Sequence, residues 1–335
     1  MIPVSPVNLR DSSWQSAYRN AVTDPLELLA LLGLSAADFD ISPEAIVQFP
    51  LKAPRSFIAR MRQGDPTDPL LLQVLPVGAE MNFYEGFSLL DPVGDTQAKS
   101  ATGVLQKYKG RALLVATGAC AIHCRYCFRR YYPYADEPAA ANNWRETVDA
   151  IGNDPTVDEV ILSGGDPLSL STLKLQALTD ALLNIQHVKR LRIHSRLPVT
   201  LPERIDDELL AWLASLPWPV TMVVHANHAN EFDTPVDNAI ANLRREGVTV
   251  LNQAVLLKGI NDSVTALRDL SERGYDAGIL PYYLHVLDRV QGAGHFHVDD
   301  ERAMALHAEL ATQLSGYLVP RLVREIPGAS GKTPL

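Results

Sequence analysis

The sequence predicts an α/β fold: a helical N-terminal domain over residues 1–100, a partial (βα)6 barrel over 101–320, and a short C-terminal segment over 321–335. Three observations carry this expectation. The first hundred residues read as short helices punctuated by proline, a small polar stretch follows, and beyond it six apolar runs alternate with amphipathic ones.

Asp24-Pro25 and Ser42-Pro43 each place a capping residue before a proline at the first helical position, and both lead into apolar periodicity. Between Gly94 and Gly103 the chain becomes small and polar, Asp95-Thr96-Gln97-Ala98-Lys99-Ser100, which suits a connector. The expected strands are 112–116, 159–163, 190–194, 221–225, 249–255 and 279–286, rich in Val, Ile and Leu, as strands buried on both faces should be. Helical stretches at 173–185, 206–214, 236–245 and 263–273 separate them. Six βα units in series imply a parallel sheet. Eight would close a barrel, whereas six leave it curved and partly open, with functional residues at the C-terminal ends of the strands.

Composition excludes several classes. With 335 residues and 47% hydrophobic content the chain can bury a large core. Residues 1–6 carry no basic segment leading into an apolar run, and the apolar stretch at 28–34 is too short to span a bilayer, so a cytoplasmic protein without a membrane partner is expected. A net charge of −9 without a long Lys/Arg block argues against nucleic acid. Three cysteines, an odd number, argue against a disulfide framework.

Those cysteines form one run, Cys120-Ala-Ile-His-Cys124-Arg-Tyr-Cys127, just after the first expected strand. Three thiolates can hold three irons of a [4Fe–4S] cluster and leave the fourth open to a ligand that is not a side chain. An electron-transfer ferredoxin needs a fourth cysteine. A zinc site needs His123 to complete Cys3His within the same loop. Three ordinary core cysteines are the remaining alternative. At the other end, Pro327-Gly328-Ala-Ser-Gly331-Lys332-Thr333-Pro334 fails as a phosphate loop, because Ile326 occupies the first glycine position. By itself this segment reads as a polar tail.

The cysteine run resembles that of the radical S-adenosylmethionine (SAM) superfamily, whose fold is a partial (βα)6 barrel. In that family SAM chelates the open iron and is cleaved to a 5′-deoxyadenosyl radical. Ser163-Gly164-Gly165-Asp166-Pro167, at the end of the second strand, resembles the segment that receives the SAM amino group. Together with the tail, the run is similar to the lysine 2,3-aminomutase family within these enzymes, whose lysine in Pro-Gly-x-x-Gly-Lys-Thr-Pro carries pyridoxal phosphate (PLP) as a Schiff base. Lys332 is the matching residue. The likeness extends through Lys107-Tyr108-Lys109-Gly110-Arg111, Cys127-Phe128-Arg129-Arg130, Arg192-Ile-His-Ser195-Arg196-Leu-Pro198, the segments beginning at His225 and at Leu251, and Pro281 to Asp288.

The resemblance implies a role for each matching position. Cys120, Cys124 and Cys127 hold the cluster. Gly164, Gly165, Asp166, Ser195, His225 and Gln253 surround SAM. Lys107, Tyr108 and Arg111 hold the PLP phosphate, a dianion suited to such donors. Arg129 grips the carboxylate of lysine, and Asp288 with Glu325 embraces its distal ammonium, since a carboxylate pair needs a cation between its members. Glu325 and Lys107 replace an aspartate and an arginine, and His285 stands where the family has a tyrosine near the PLP ring. The segments at 54–61 and 283–292 resemble the bacterial branch that makes (R)-β-lysine for elongation factor P. That branch implies L-lysine as substrate, a functional link to the elongation factor P ligase and a reductant such as flavodoxin, and leaves a homo-oligomer open. A catabolic lysine 2,3-aminomutase and a non-catalytic Fe–S scaffold or sensor are the alternatives.

Overall fold

A computed structural model describes residues 13–134 and 144–335, so the stretch at 1–6 read above lies outside the described residues. Four short helices open the described chain: α1 (Trp14–Arg19), α2 (Pro25–Leu31), α3 (Pro43–Gln48) and α4 (Arg55–Ile58). The two expected caps are in place. Asp24 accepts from the Leu26 amide at 2.9 Å and Ser42 Oγ from the Ala45 amide at 3.1 Å, each ahead of a proline. Leu28, Leu29, Leu32, Phe57, Leu70 and Val74 form one apolar cluster, into which Ile122 inserts and against which Cys124 packs. The N-terminal helices are therefore a platform for the cysteine loop.

A single sheet follows, its strands in sequence order. They are β1 (Lys99–Ala101), β2 (Val104–Leu105), β3 (Arg111–Thr117), β4 (Glu159–Gly164), β5 (Arg190–Ser195), β6 (Val220–Val224), β7 (Thr249–Val255), β8 (Leu280–His285), β9 (Arg321–Arg324) and β10 (Thr333–Pro334). Strands β3 to β9 are parallel, flanked by antiparallel β1 and β2 on one side and β10 on the other. Helices α5 (Arg145–Gly152), α6 (Thr172–Leu182), α7 (Leu197–Thr200), α8 (Asp207–Ser215), α9 (Thr234–Arg245), α10 (Val264–Asp276) and α11 (Asp300–Gln313) fill the crossovers. Six βα units are thus present, with a seventh parallel strand after the last.

The sheet curls strongly. Six strand spacings separate β3 from β9, roughly 29 Å on a flat sheet. Yet Tyr108, just before β3, donates its hydroxyl to Glu325, just after β9, at 2.7 Å. This is the partly open barrel that six units imply.

Three expectations need correction. The connector carries β1 and the fully buried Asp95. The tail is not free: β10 pairs with β9, Thr333 opposite Arg324, and the Leu335 amide donates to Leu322. Burial on both faces holds for β4 but not for β5, β7 and β8, whose inward residues Arg192, His194, Gln253, Val255 and Tyr283 are only partly covered. Those positions face a cavity instead of a filled core.

Candidate active site

The cavity has a volume of about 380 Å³. Alternate strand residues line it: Arg111 and Leu113 on β3, Ile161 and Ser163 on β4, Arg192 and His194 on β5, Gln253 and Val255 on β7, Tyr283 and His285 on β8. The period of two is the strand pleat turned inward. Every site residue singled out from the sequence lines this one cavity: Cys120, Cys124, Cys127, Gly164, Gly165, Asp166, Ser195, His225, Gln253, Lys107, Tyr108, Arg111, Arg129, Asp288, Glu325 and Lys332.

At one end lie the three free cysteines. Burial pushes the Cys127 thiol up to about 11 and the Cys120 thiol upward as well, so as thiolates they need a compensating positive centre. The Nδ1 of His123 lies 2.8 Å from the Pro50 carbonyl and its ring stacks on Phe49 at 5.0 Å. No three His, Cys, Asp or Glu side chains gather as a single-ion site among the described residues.

Gly164 and Gly165 have a role that the sequence did not suggest. Gly164 has φ +114°, and a Cβ there would sit 2.7 Å from the Thr117 carbonyl; at Gly165 it would sit 2.5 Å from that of Ala119. The pair lets β4 pass close under the cysteine loop, with the Gly165 amide donating to Thr117 at 2.7 Å and the Asp166 amide to Ala119 at 2.8 Å. The Asp166 carboxylate then accepts from Ser195 Oγ at 2.7 Å and from the Arg196 amide at 2.7 Å. Burial raises Asp166 to about 6 against these hydrogen bonds. Asp166 and Ser195 therefore brace the ends of β4 and β5.

The opposite end is ionic. Lys332 Nζ donates to Glu325 at 2.5 Å, and Glu325 also accepts from Tyr108 and, at 3.5 Å, from Lys107. Burial pushes Glu325 upward, but Lys332 and these donors outweigh it and hold the carboxyl below its usual range. Asp288 makes no side-chain hydrogen bond among the described residues, and burial raises it to about 7 despite Lys332. Arg111 lies over the Tyr108 ring at 4.6 Å. Arg129 links the two ends, its Nε donating to Asp95 at 2.6 Å and its Nη1 to Ser163 Oγ at 3.0 Å.

Several lining atoms are buried with no partner among the described residues: Arg111 Nε, His194 Nε2, His225 Nε2, Gln253 Oε1 and His285 Nε2. Buried polar groups are normally satisfied, so these atoms are open to a ligand or to water in the cavity. Burial lowers His225 to about 4 and pushes His285 well below the usual imidazole value, keeping both neutral.

Sequence reasoning missed four important groups. Asp95 pairs with both Arg129 and Lys107, the latter at 2.6 Å. The fully buried Arg125 pairs with Glu80 at 2.8 and 2.6 Å, and Arg130 joins at 2.9 Å, tying the cysteine loop to the N-terminal platform. Lys52 and Tyr18 both donate to the Cys120 carbonyl. Arg196 reaches Cys124 Sγ at 2.7 Å. Charged residues within and just after the Cys run, Arg125 and Arg130, were the visible signal; Asp95, Glu80, Lys52, Tyr18 and Arg196 are remote in sequence.

A cavity at the strand C-termini with a Cys-x3-Cys-x2-Cys loop at one end defines a radical SAM enzyme, and residues 114–270 match the Radical SAM superfamily. Over 323 residues the chain is 48% identical to the L-lysine 2,3-aminomutase of Escherichia coli K12, covering 96% of this chain and 94% of that one. It is 44% identical to that of Haemophilus influenzae, covering 99% and 98%, and 32% identical to that of Clostridium subterminale, covering 99% and 79%. The chain belongs to the lysine 2,3-aminomutase family of radical SAM enzymes. With membership come the family's cofactors: a [4Fe–4S] cluster, SAM and PLP. The thiol trio, the unmatched polar atoms and the cavity-lining Lys332 fit them. Among the described residues, no helix is long and apolar enough to cross a membrane.

Proposed function

We propose that this chain converts L-lysine to (R)-β-lysine in a PLP-dependent reaction, with Lys332 as the PLP attachment site, and that the product modifies elongation factor P. One observation carries the reading: the cavity that holds Cys120, Cys124 and Cys127 at one end holds Lys332, Glu325 and an unpartnered Asp288 at the other.

When bound, the cluster with SAM supplies a hydrogen-abstracting radical, and PLP supplies a conjugated electron sink for the amino nitrogen that moves. The protein does the rest by position and by excluding water. Lys332 would hold PLP, and Arg111, with an unused Nε, would receive its phosphate together with Lys107 and Tyr108. His225 and Gln253, each with a buried atom to satisfy, would contact SAM.

Arg129 would take the lysine carboxylate. Asp95 occupies its Nε and Ser163 its Nη1, which orients the guanidinium and leaves Nη2. Asp288 and Glu325 would take the distal ammonium. With Lys332 holding PLP, Glu325 would keep Lys107 at 3.5 Å but lose its ion pair with Lys332, and a substrate ammonium would replace that charge. Two carboxylates at this end repel an anionic side chain such as that of glutamate.

The elongation factor P role rests on the sequence segments at 54–61 and 283–292 and on near full-length likeness to the shorter bacterial relatives. A flavodoxin-type reductant and acceptance of the product by the elongation factor P ligase belong to the same reading. Anaerobic incubation with lysine, SAM, PLP and dithionite, followed by chiral amino-acid analysis, tests it. (R)-β-Lysine is the expected product. An S product would assign the catabolic reaction, and no β-lysine at all would sink the proposal.

A further inference from the structure

Arg196 is buried beside the cysteine loop and held there through its amide and both Nη atoms, its Nε having no partner among the described residues. Asp166 fixes its amide at 2.7 Å, and its guanidinium lies over the rings of Phe57 at 5.4 Å and Tyr126 at 5.7 Å. Its Nη2 donates to Gln73 Oε1 at 2.6 Å and to Glu231 Oε2 at 3.1 Å. Glu231 is itself pinned, accepting from the Asn227 amide at 2.8 Å and from Gln73 Nε2 at 3.2 Å. What this scaffold presents is Nη1, 2.7 Å from Cys124 Sγ.

A surface arginine would not need two aromatic faces, a carboxylate and an amide oxygen to hold one fork. Arg196 comes from the C-terminal end of β5, so its approach to Cys124 is made by the fold and not by local sequence. A planar guanidinium with one edge occupied can offer the other edge in only one direction. Hydrogen bonds to cluster sulfurs set iron–sulfur potentials, because they stabilise the form with more negative charge on sulfur.

We propose that Arg196 is a positioning residue for the cluster: its charge-assisted hydrogen bond to Cys124 Sγ raises the reduction potential of the [4Fe–4S] centre, and Glu231 moderates that effect through the opposite edge of the guanidinium. The proposal rests on the cysteines holding the cluster. The reduction concerned is the one-electron step from the 2+ to the 1+ cluster, with dithionite as the electron source. The added electron increases negative charge on the thiolate sulfurs, which is the charge that Nη1 faces. Glu231, a neighbouring carboxylate, draws the guanidinium the other way and lessens the positive field at the sulfur.

The two residues therefore give opposite signs. Arg196→Gln should lower the midpoint potential and Glu231→Gln should raise it. Each shift should be on the order of tenfold in the reduction equilibrium, about 59 mV for a one-electron couple. Arg196→Lys keeps a charge but loses the fork and should fall between wild type and Arg196→Gln.

The experiment is a potentiometric titration of anaerobically reconstituted full-length protein without SAM, following the EPR signal of the reduced cluster, with iron content and circular dichroism measured in parallel. Opposite shifts at normal iron content support the proposal. Equal potentials in wild type, Arg196→Gln and Glu231→Gln overturn it, and so would shifts of the same sign. If both variants fail to retain a cluster, the two residues merely hold the loop and the proposal falls. A wild-type protein that binds no cluster breaks the cysteine assignment instead, so the two failures are distinguishable.

Discussion

At the cysteine end of the cavity, protein groups already meet one another: Arg125 and Arg130 share Glu80, Lys52 and Tyr18 hold the Cys120 carbonyl, and Arg196 reaches Cys124. At the lysine end, the Asp288 carboxylate has no hydrogen-bond partner among the described residues, His285 Nε2 is unmatched, and Glu325 pairs with the very lysine assigned to a cofactor. On the reading proposed above, the first end is preorganised for a permanent centre, and the second is a set of charges that a cofactor and a cationic substrate would complete. Removing a group at the cysteine end should therefore destroy a centre, whereas removing one at the lysine end should uncouple binding from a centre that persists.

The largest effect expected is that of Cys124→Ala. It should abolish the [4Fe–4S] absorbance and reductive SAM cleavage together; retention of both would refute the cysteine assignment. Next comes Asp288→Asn, which leaves a desolvated substrate ammonium underpaired. Losing one partner of a buried charge pair costs about 3–5 kcal/mol, at least a hundredfold at roughly 1.4 kcal/mol per tenfold. Lysine turnover should fall by that factor while uncoupled SAM cleavage continues, and a variant that loses both activities equally would erase the distinction between the ends.

A smaller effect is expected from pH alone. Burial raises Asp288 to about 7, so below that pH the free protein carries it neutral. A bound ammonium favours the carboxylate, and binding must then expel a proton. The kcat/KM for lysine should therefore fall as pH drops below about 7, approaching tenfold per unit, and level off above it. Asp288→Asn should lose this slope. An unchanged slope in the variant would place the titrating group elsewhere.

What the sequence disclosed follows the same division. The cysteine trio, the proline-led caps and the six long parallel strands are local patterns, and each appears within a residue or two of its expected bounds. Strands β9 and β10 did not show themselves, because four residues ending in arginine and a Thr-Pro pair acquire strand character only by pairing with neighbours. Asp95 looked like connector polarity, since its partners Arg129 and Lys107 reach it only once the sheet has curled. Inward alternation on β5, β7 and β8 was hidden for a related reason: an inner face that lines a cavity can carry Arg192, His194 and Gln253 where a filled barrel would need aliphatic side chains. Resemblance placed Glu325 and Lys332 at one site, and their 2.5 Å contact shows the fold bringing them together.

The central claim is that the cavity joins the cysteine loop to a PLP-bearing Lys332. Borohydride reduction of the PLP-reconstituted protein, followed by digestion and peptide mass analysis, tests it most directly. The label should sit on Lys332 alone, and Lys332→Ala should lose both label and turnover while keeping its iron. A label on any other lysine, or a variant that still makes β-lysine, would contradict the claim.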